Sequence, residues 1–121
     1  MNVMFVGMSP SSRTTPTKNS TLTRLNGWCD RLGLESYDFH NVIPNVTNGS
    51  KMEEVDVDML LQRVRGRKKV IALGGFVSRV LTKYKIEHHK ADHPSPRNRN
   101  FNDPAYEPMM LDRLKAYIHE H

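Results

Sequence analysis

The stretch KKVIALGG, residues 68 to 75, decides the fold. Val70 to Leu73 are four apolar residues in a row, without the polar alternation of a strand that has one wet face, so they read as a strand covered on both faces. The double glycine stops the run, and FVSRVLTKY (76–84) opens a helix directly after it. A buried strand feeding straight into a helix is half of a parallel β-α-β unit.

The same alternation extends to both sides. Upstream, MNVMFVGMSP (1–10) predicts a strand from residue 2, broken by glycine and proline, and SSRTTPTKNS (11–20) is polar enough to be a loop. In STLTRLNGWCDRLGL (20–34), Leu22, Leu25, Cys29 and Leu32 fall at helical spacing, with Asn19 or Ser20 placed to cap the start and Gly33 the end; Trp28 is expected in the core. YDFHNVIP (37–44) predicts a second strand, and NVTNGS (45–50) a polar loop. EEVDVDMLLQRVRGR (53–67) begins with acids and ends with bases, as the helix dipole favours, and places Val57, Leu60, Leu61 and Val64 on one face. Downstream, KIEHH (85–89) predicts a short last strand and DPAYEPMMLDRLKAYIHEH (103–121) a closing helix. Four strands alternating with four helices predict an α/β fold with a parallel sheet and helices on both faces. Ligands of such sheets sit beyond the carboxyl ends of the strands, so the loops after each strand are where function is expected.

With 121 residues, the chain has room for one domain, 1–121. Eighteen Lys and Arg against thirteen Asp and Glu give a net charge of +5, which favours a polyanionic partner without identifying one. The one cysteine, Cys29, has no internal partner for a disulfide and suits a reducing compartment; no apolar run approaches ~18 residues and no signal peptide is evident, so a soluble, cytoplasmic protein is expected. His88, His89, Asp92 and His93 crowd into six residues, but at a spacing that fits no common zinc pattern. GMSPSSR (7–13) lacks the second glycine and the lysine of a P-loop, while ALGGF (72–76) keeps open a helix N-terminus that meets the phosphate of a mononucleotide.

Two short motifs carry most of the functional signal. Gly7, Met8, Ser9 and Pro10 follow the first strand, and His93, Pro94, Ser95 and Pro96, running on into Arg97 and Asn98, follow the last. Together at these two strand exits they resemble the uracil-DNA glycosylase superfamily, whose first motif is glycine, two variable residues and proline, and whose last is histidine, proline, serine, proline. The resemblance is to the single-strand-selective monofunctional branch in particular, where the first motif reads glycine, methionine, asparagine, proline and the last continues into arginine and asparagine. It implies a three-layer α/β/α sandwich around a four-stranded parallel sheet. It also implies a monomer that binds DNA, single-stranded or as distorted duplex, away from membranes and with no cofactor or metal. The implied activity is that of a DNA glycosylase of base-excision repair, a hydrolase that flips a uracil-type or modified base into a pocket and cleaves its N-glycosidic bond.

The resemblance assigns roles residue by residue. His93 would donate to the base oxygen where negative charge develops as the bond breaks. Asn41, at the end of the second strand, would pair with the amide edge of the base, since one carboxamide donates and accepts at once; its neighbour His40 would face the other way. Gly7 and Met8 would line the base site, and Ser9 would orient the attacking water. Arg13, Ser95, Arg97, Asn98 and Arg99 would hold the DNA, with Phe101 as an apolar wedge. The bland alternatives are a histidine that only caps a turn and a solvated loop with Phe101 packed on the last helix.

Two departures bear on these roles. Most members carry aspartate or asparagine where this chain has Ser9, and a serine hydroxyl is no general base near neutral pH. The family's stacking aromatic is also missing, because no aromatic residue stands between Pro10 and Trp28; Arg13 offers a planar guanidinium instead. A catalytically impaired module that recognises a base without excising it is therefore the alternative to a hydrolase.

Overall fold

The structure is a computed structural model and describes residues 3–8, 20–34, 37–43, 52–67, 69–94 and 99–119. Four strands, β1 (Val3–Gly7), β2 (Asp38–Asn41), β3 (Lys69–Leu73) and β4 (His89–Ala91), pair in one sheet of order β2-β1-β3-β4, every pair parallel. Between them run α1 (Ser20–Leu32), α2 (Val57–Val64) and α3 (Gly75–Lys83), and α4 (Tyr106–His119) closes the chain. The α/β fold with a four-stranded parallel sheet is as the alternation of elements predicts.

The central strands are the apolar ones. All five residues of β1 and four of five in β3 are buried, whereas the edge strands β2 and β4 keep polar residues and partial exposure. Alternate residues divide between two clusters, as the two-residue period of a strand requires. Val3, Phe5, Ile71, Leu73 and Ala91 pack with Leu25, Trp28 and Leu32 of α1 and with Leu111, Leu114 and Ile118 of α4. Met4, Val6, Val70 and Ala72 pack with Leu60 of α2 and with Val77, Val80 and Leu81 of α3. Each buried Val, Leu, Ile, Phe or Met among these contributes about 1.5–3 kcal/mol relative to exposure. Trp28 and Cys29 are buried, as expected of them, and desolvation, ahead of the nearby Asp30 charge, raises the Cys29 thiol to about 11.

Several local expectations change. The acids Glu53 and Glu54 form a separate 3-10 turn, and α2 starts only at Val57, where the Asp56 side chain accepts from the Met59 amide. Its buried seam is centred on Leu60 and leaves Leu61, about 100° further round, 43% exposed. The last strand lies later than KIEHH suggests. Lys85 takes φ +57, and Ile86 N–H bonds back to the Leu81 carbonyl, so residues 84–88 turn out of α3 before β4 begins at His89. Gly33, at φ +72, ends α1 as its sequence position implies.

The sheet order places a reversal between β1 and β3: the chain leaves β1 toward β2 on one side and, from β3, moves to β4 on the other. Connections that diverge from neighbouring strands leave a crevice over their carboxyl ends. By that rule the crevice is expected above Gly7, Leu73 and Gly74.

Candidate base-binding edge

Two side chains flank this crevice. On one side, Asn41 is the register partner of Gly7, and a β-carbon added to Gly7 would meet Asn41 Oδ1 and Phe39 Cζ, each at 2.8 Å. Both groups lean from β2 across β1. Position 7 is thus glycine because its neighbours occupy the space of a side chain; Gly7 is absent from the glycines with positive φ.

On the other side stands His93, two residues beyond the end of β4. A β-carbon on Gly74 would lie 3.4 Å from His93 Cβ and 3.7 Å from Cδ2, so the imidazole rests against the exit of β3. Gly74 has φ 98° and ψ 171°, a conformation essentially confined to glycine. Its N–H bonds to the Ala91 carbonyl at 2.9 Å, which ties the first residue beyond β3 to the last of β4. The double glycine reads in the sequence as a strand stop; the contact of Gly74 with His93 is visible only once β3 and β4 are adjacent.

The register gives the scale. Asn41 pairs with Gly7, Val6 with Ala72 and Leu73 with Ala91. Four neighbouring strands at ~4.8 Å span roughly 14 Å, but Asn41 leans over β1 and His93 over β3, so the groups on which they rest are about one strand spacing apart.

The electrostatics suit a neutral hydrogen-bonding site. The His93 ring keeps an exposed surface, yet the protein around it lowers its pKa below the ordinary histidine value through desolvation. At neutral pH it is an uncharged imidazole that donates from one nitrogen and accepts at the other. His40, opposite Val6, belongs to the other face of β2, as expected from the strand period. Its pKa is lowered by burial first and by Arg63 second, with Asp56 opposing, and its Nε2 has no hydrogen-bond partner among the described residues.

The remaining site residues separate. Met8 packs its side chain on the α2–α3 cluster, and its carbonyl accepts from the Ile43 amide at 2.8 Å. Arg99 is exposed on a 3-10 turn, Arg99–Asn102. Phe101 lies on the same turn but is packed inward: its ring meets Trp28 edge-on at 5.8 Å, lies 6.1 Å from Tyr106 and is covered by the Arg24 guanidinium at 4.4 Å. This is the packed arrangement rather than a free wedge, and insertion into DNA would require the ring to leave these contacts. Ser9, Arg13, Ser95, Arg97 and Asn98 lie outside the described residues.

Among the described residues, no group of three His, Cys, Asp or Glu side chains is placed to hold a metal ion, and no helix is long and apolar enough to cross a membrane. His88 instead has a structural setting, with Nδ1 2.8 Å from the Ile86 carbonyl and Nε2 2.8 Å from the Ser78 hydroxyl. Compared with known protein families and with curated proteins, the chain matches none at a meaningful level of similarity.

Proposed function

We propose that this protein is a DNA glycosylase-like base-binding protein. A flipped uracil-type or modified base would enter the β1–β3 crevice and have its N-glycosidic bond hydrolysed. The observation that carries this is that Asn41 and His93 both stand at the carboxyl edge of the sheet, Asn41 in the space a side chain on Gly7 would fill and His93 against Gly74, just past the end of β3. Asn41 would read the donor and acceptor of the base's amide edge. The neutral His93 would donate to the base oxygen on which charge accumulates, without having to carry a proton of its own. The net charge of +5 and the exposed Arg99 support a nucleic-acid backbone as the wider partner.

The presence of Ser9, where a carboxylate or carboxamide would position water, favours a second form of the same reading, a pocket that recognises a base without releasing it. Alkali-induced strand cleavage on oligonucleotides bearing uracil, hydroxymethyluracil, hypoxanthine or mismatched thymine separates the two. Release of any of these bases by the wild type, or by Ser9→Asn, supports hydrolysis. Binding that is lost on Asn41→Ala, with no release by either form, supports the reader. If Asn41→Ala and His93→Ala change neither binding nor release, the crevice is not the site.

A further inference from the structure

Asp92 stands between the last residue of β4 and His93, and both of its carboxylate oxygens accept from residues further along the chain. The Tyr106 hydroxyl donates to Oδ1 at 2.7 Å, and Asn100 Nδ2 donates to Oδ2 at 2.9 Å. The same Asn100 nitrogen lies 3.5 Å from the Tyr106 oxygen, so the three side chains close on one another. This hydrogen bond to Asp92 is also the main reason the Tyr106 phenol titrates above its ordinary value, which keeps the hydroxyl a donor.

The far side of this contact is anchored in turn. Tyr106 is the first residue of α4, and Glu107 beside it binds Arg24 at 2.7 Å and Arg31 at 2.9 Å, both from α1. Phe101, between Asn100 and Tyr106 in sequence, packs on Trp28. Asp92 is therefore tied to the α1–α4 core at the point where β4 has ended. Hydrogen bonds to an ionised carboxylate are shorter and stronger than neutral ones, so they can stand in for the missing strand pairing.

We propose that Asp92 is a positioning residue: clasped by Tyr106 and Asn100, it fixes the backbone that carries His93 and so sets where the imidazole stands over Gly74. The proposal rests on the base-binding reading of this edge. Each carboxylate oxygen of Asp92 accepts one bond within the clasp, and the role assigned to it is to hold the backbone rather than to meet the base.

The test uses Tyr106→Phe, which removes the hydroxyl and keeps the ring that packs near Phe101, and Asp92→Asn. Binding is measured to a single strand with one 2′-fluoro-2′-deoxyuridine, which resists cleavage, and to the same strand with a tetrahydrofuran abasic residue. The His93 imidazole is titrated by NMR in wild type and Tyr106→Phe, a change that adds no charge. The expected result for Tyr106→Phe is a base-over-abasic preference about 10- to 100-fold lower, the penalty of a misplaced group, with abasic affinity unchanged. His93 should then titrate nearer its ordinary value as the ring gains water. Should Asp92→Asn fail to fold, Tyr106→Phe carries the test. Lower stability with unchanged preference and unchanged His93 titration would overturn the proposal. If the wild type shows no preference for the base, the base-binding reading falls; the clasp then stands if the His93 titration shifts and is overturned if it does not.

Discussion

On the β1–β2 flank of the crevice, Asn41 is the last residue of its strand, and backbone pairing continues past it: Val42 N–H bonds to the Gly7 carbonyl at 3.0 Å and Ile43 N–H to the Met8 carbonyl at 2.8 Å. On the β3–β4 flank, pairing between the strands ends with Ala91, and His93 lies beyond it, held by packing on Gly74 and by the neighbouring side-chain clasp. One candidate site residue is thus fixed by the sheet and the other by side chains. The two glycines differ in the same way, since Gly7 is needed for space and Gly74 for its backbone conformation as well. A ladder tolerates side-chain changes that a clasp does not, so the two flanks should respond differently to mutation.

The largest expected effect is chemical. If the proposed hydrolysis is the activity, His93→Ala should slow base release by about 100- to 1000-fold, the usual consequence of losing one donor to a developing oxyanion. Single-turnover release rates would show this, and a change under tenfold would remove His93 from the chemistry. Next comes backbone strain. Gly74→Ala forces a non-glycine residue into a region that costs about 1–3 kcal/mol, and any relaxation of that strain acts next to His93, which its new β-carbon would touch at 3.4 Å. Denaturant midpoints should fall accordingly, and base preference should fall with them. Gly7→Ala meets only the ends of two side chains, Asn41 Oδ1 and the Phe39 ring. Stability should drop less, by about 1–2 kcal/mol, near the low end for added core volume. Because those ends must move, base preference should be lost more completely than stability. Equal loss of stability and preference in both variants would erase the distinction between the flanks.

How much of this is legible in the sequence follows from the same contrast. VIAL, buried on both faces, reveals a central strand, and Asn41 is conspicuous as an amide at the end of a strand. These signals are local, carried by residues a few positions apart. The location of β4 is not local: KIEHH looks extended, but the left-handed Lys85 and the return of Ile86 to Leu81 consume it in a turn, and only pairing with Ile71 marks His89 as the strand start. The clasp is equally illegible, because Asp92 and Tyr106 are fourteen positions apart and nothing in either residue's type signals the other. Phe101 shows the limit from the other side. An aromatic residue in a basic stretch fits a wedge and a core anchor equally well, and only the neighbouring Trp28 and Arg24 show that it is packed.

Arg99 offers a smaller test, this time of the DNA rather than the base. It is exposed and lies next to Asn100 of the clasp. If it meets a phosphate, Arg99→Ala should flatten the slope of log affinity against log salt by ~0.7–0.9, equally for base-containing and abasic strands. Tyr106→Phe should leave that slope alone, since it moves His93 and not a charge. A slope unchanged by Arg99→Ala would assign this arginine to the solvated surface.

The smallest effect separates the flanks through their histidines. Burial lowers the pKa of both His40, on the sheet-held side, and His93, on the clasp side, but Arg63 adds to the shift only at His40. In each case the folded state resists protonation more than the unfolded chain does. Stability is therefore complete above the unfolded histidine pKa, ~6.5, and declines as pH falls below it, by at most about 1.4 kcal/mol per pH unit for each histidine. Added salt screens a charge pair and leaves desolvation untouched. Raising salt should then move the NMR titration of His40 upward toward its ordinary value, because Arg63 outweighs Asp56 there, and the part of the His93 shift that comes from desolvation should not move. Parallel movement of both would mean that His93 also feels a nearby cation, and that the clasp flank is set by charge as well as by packing.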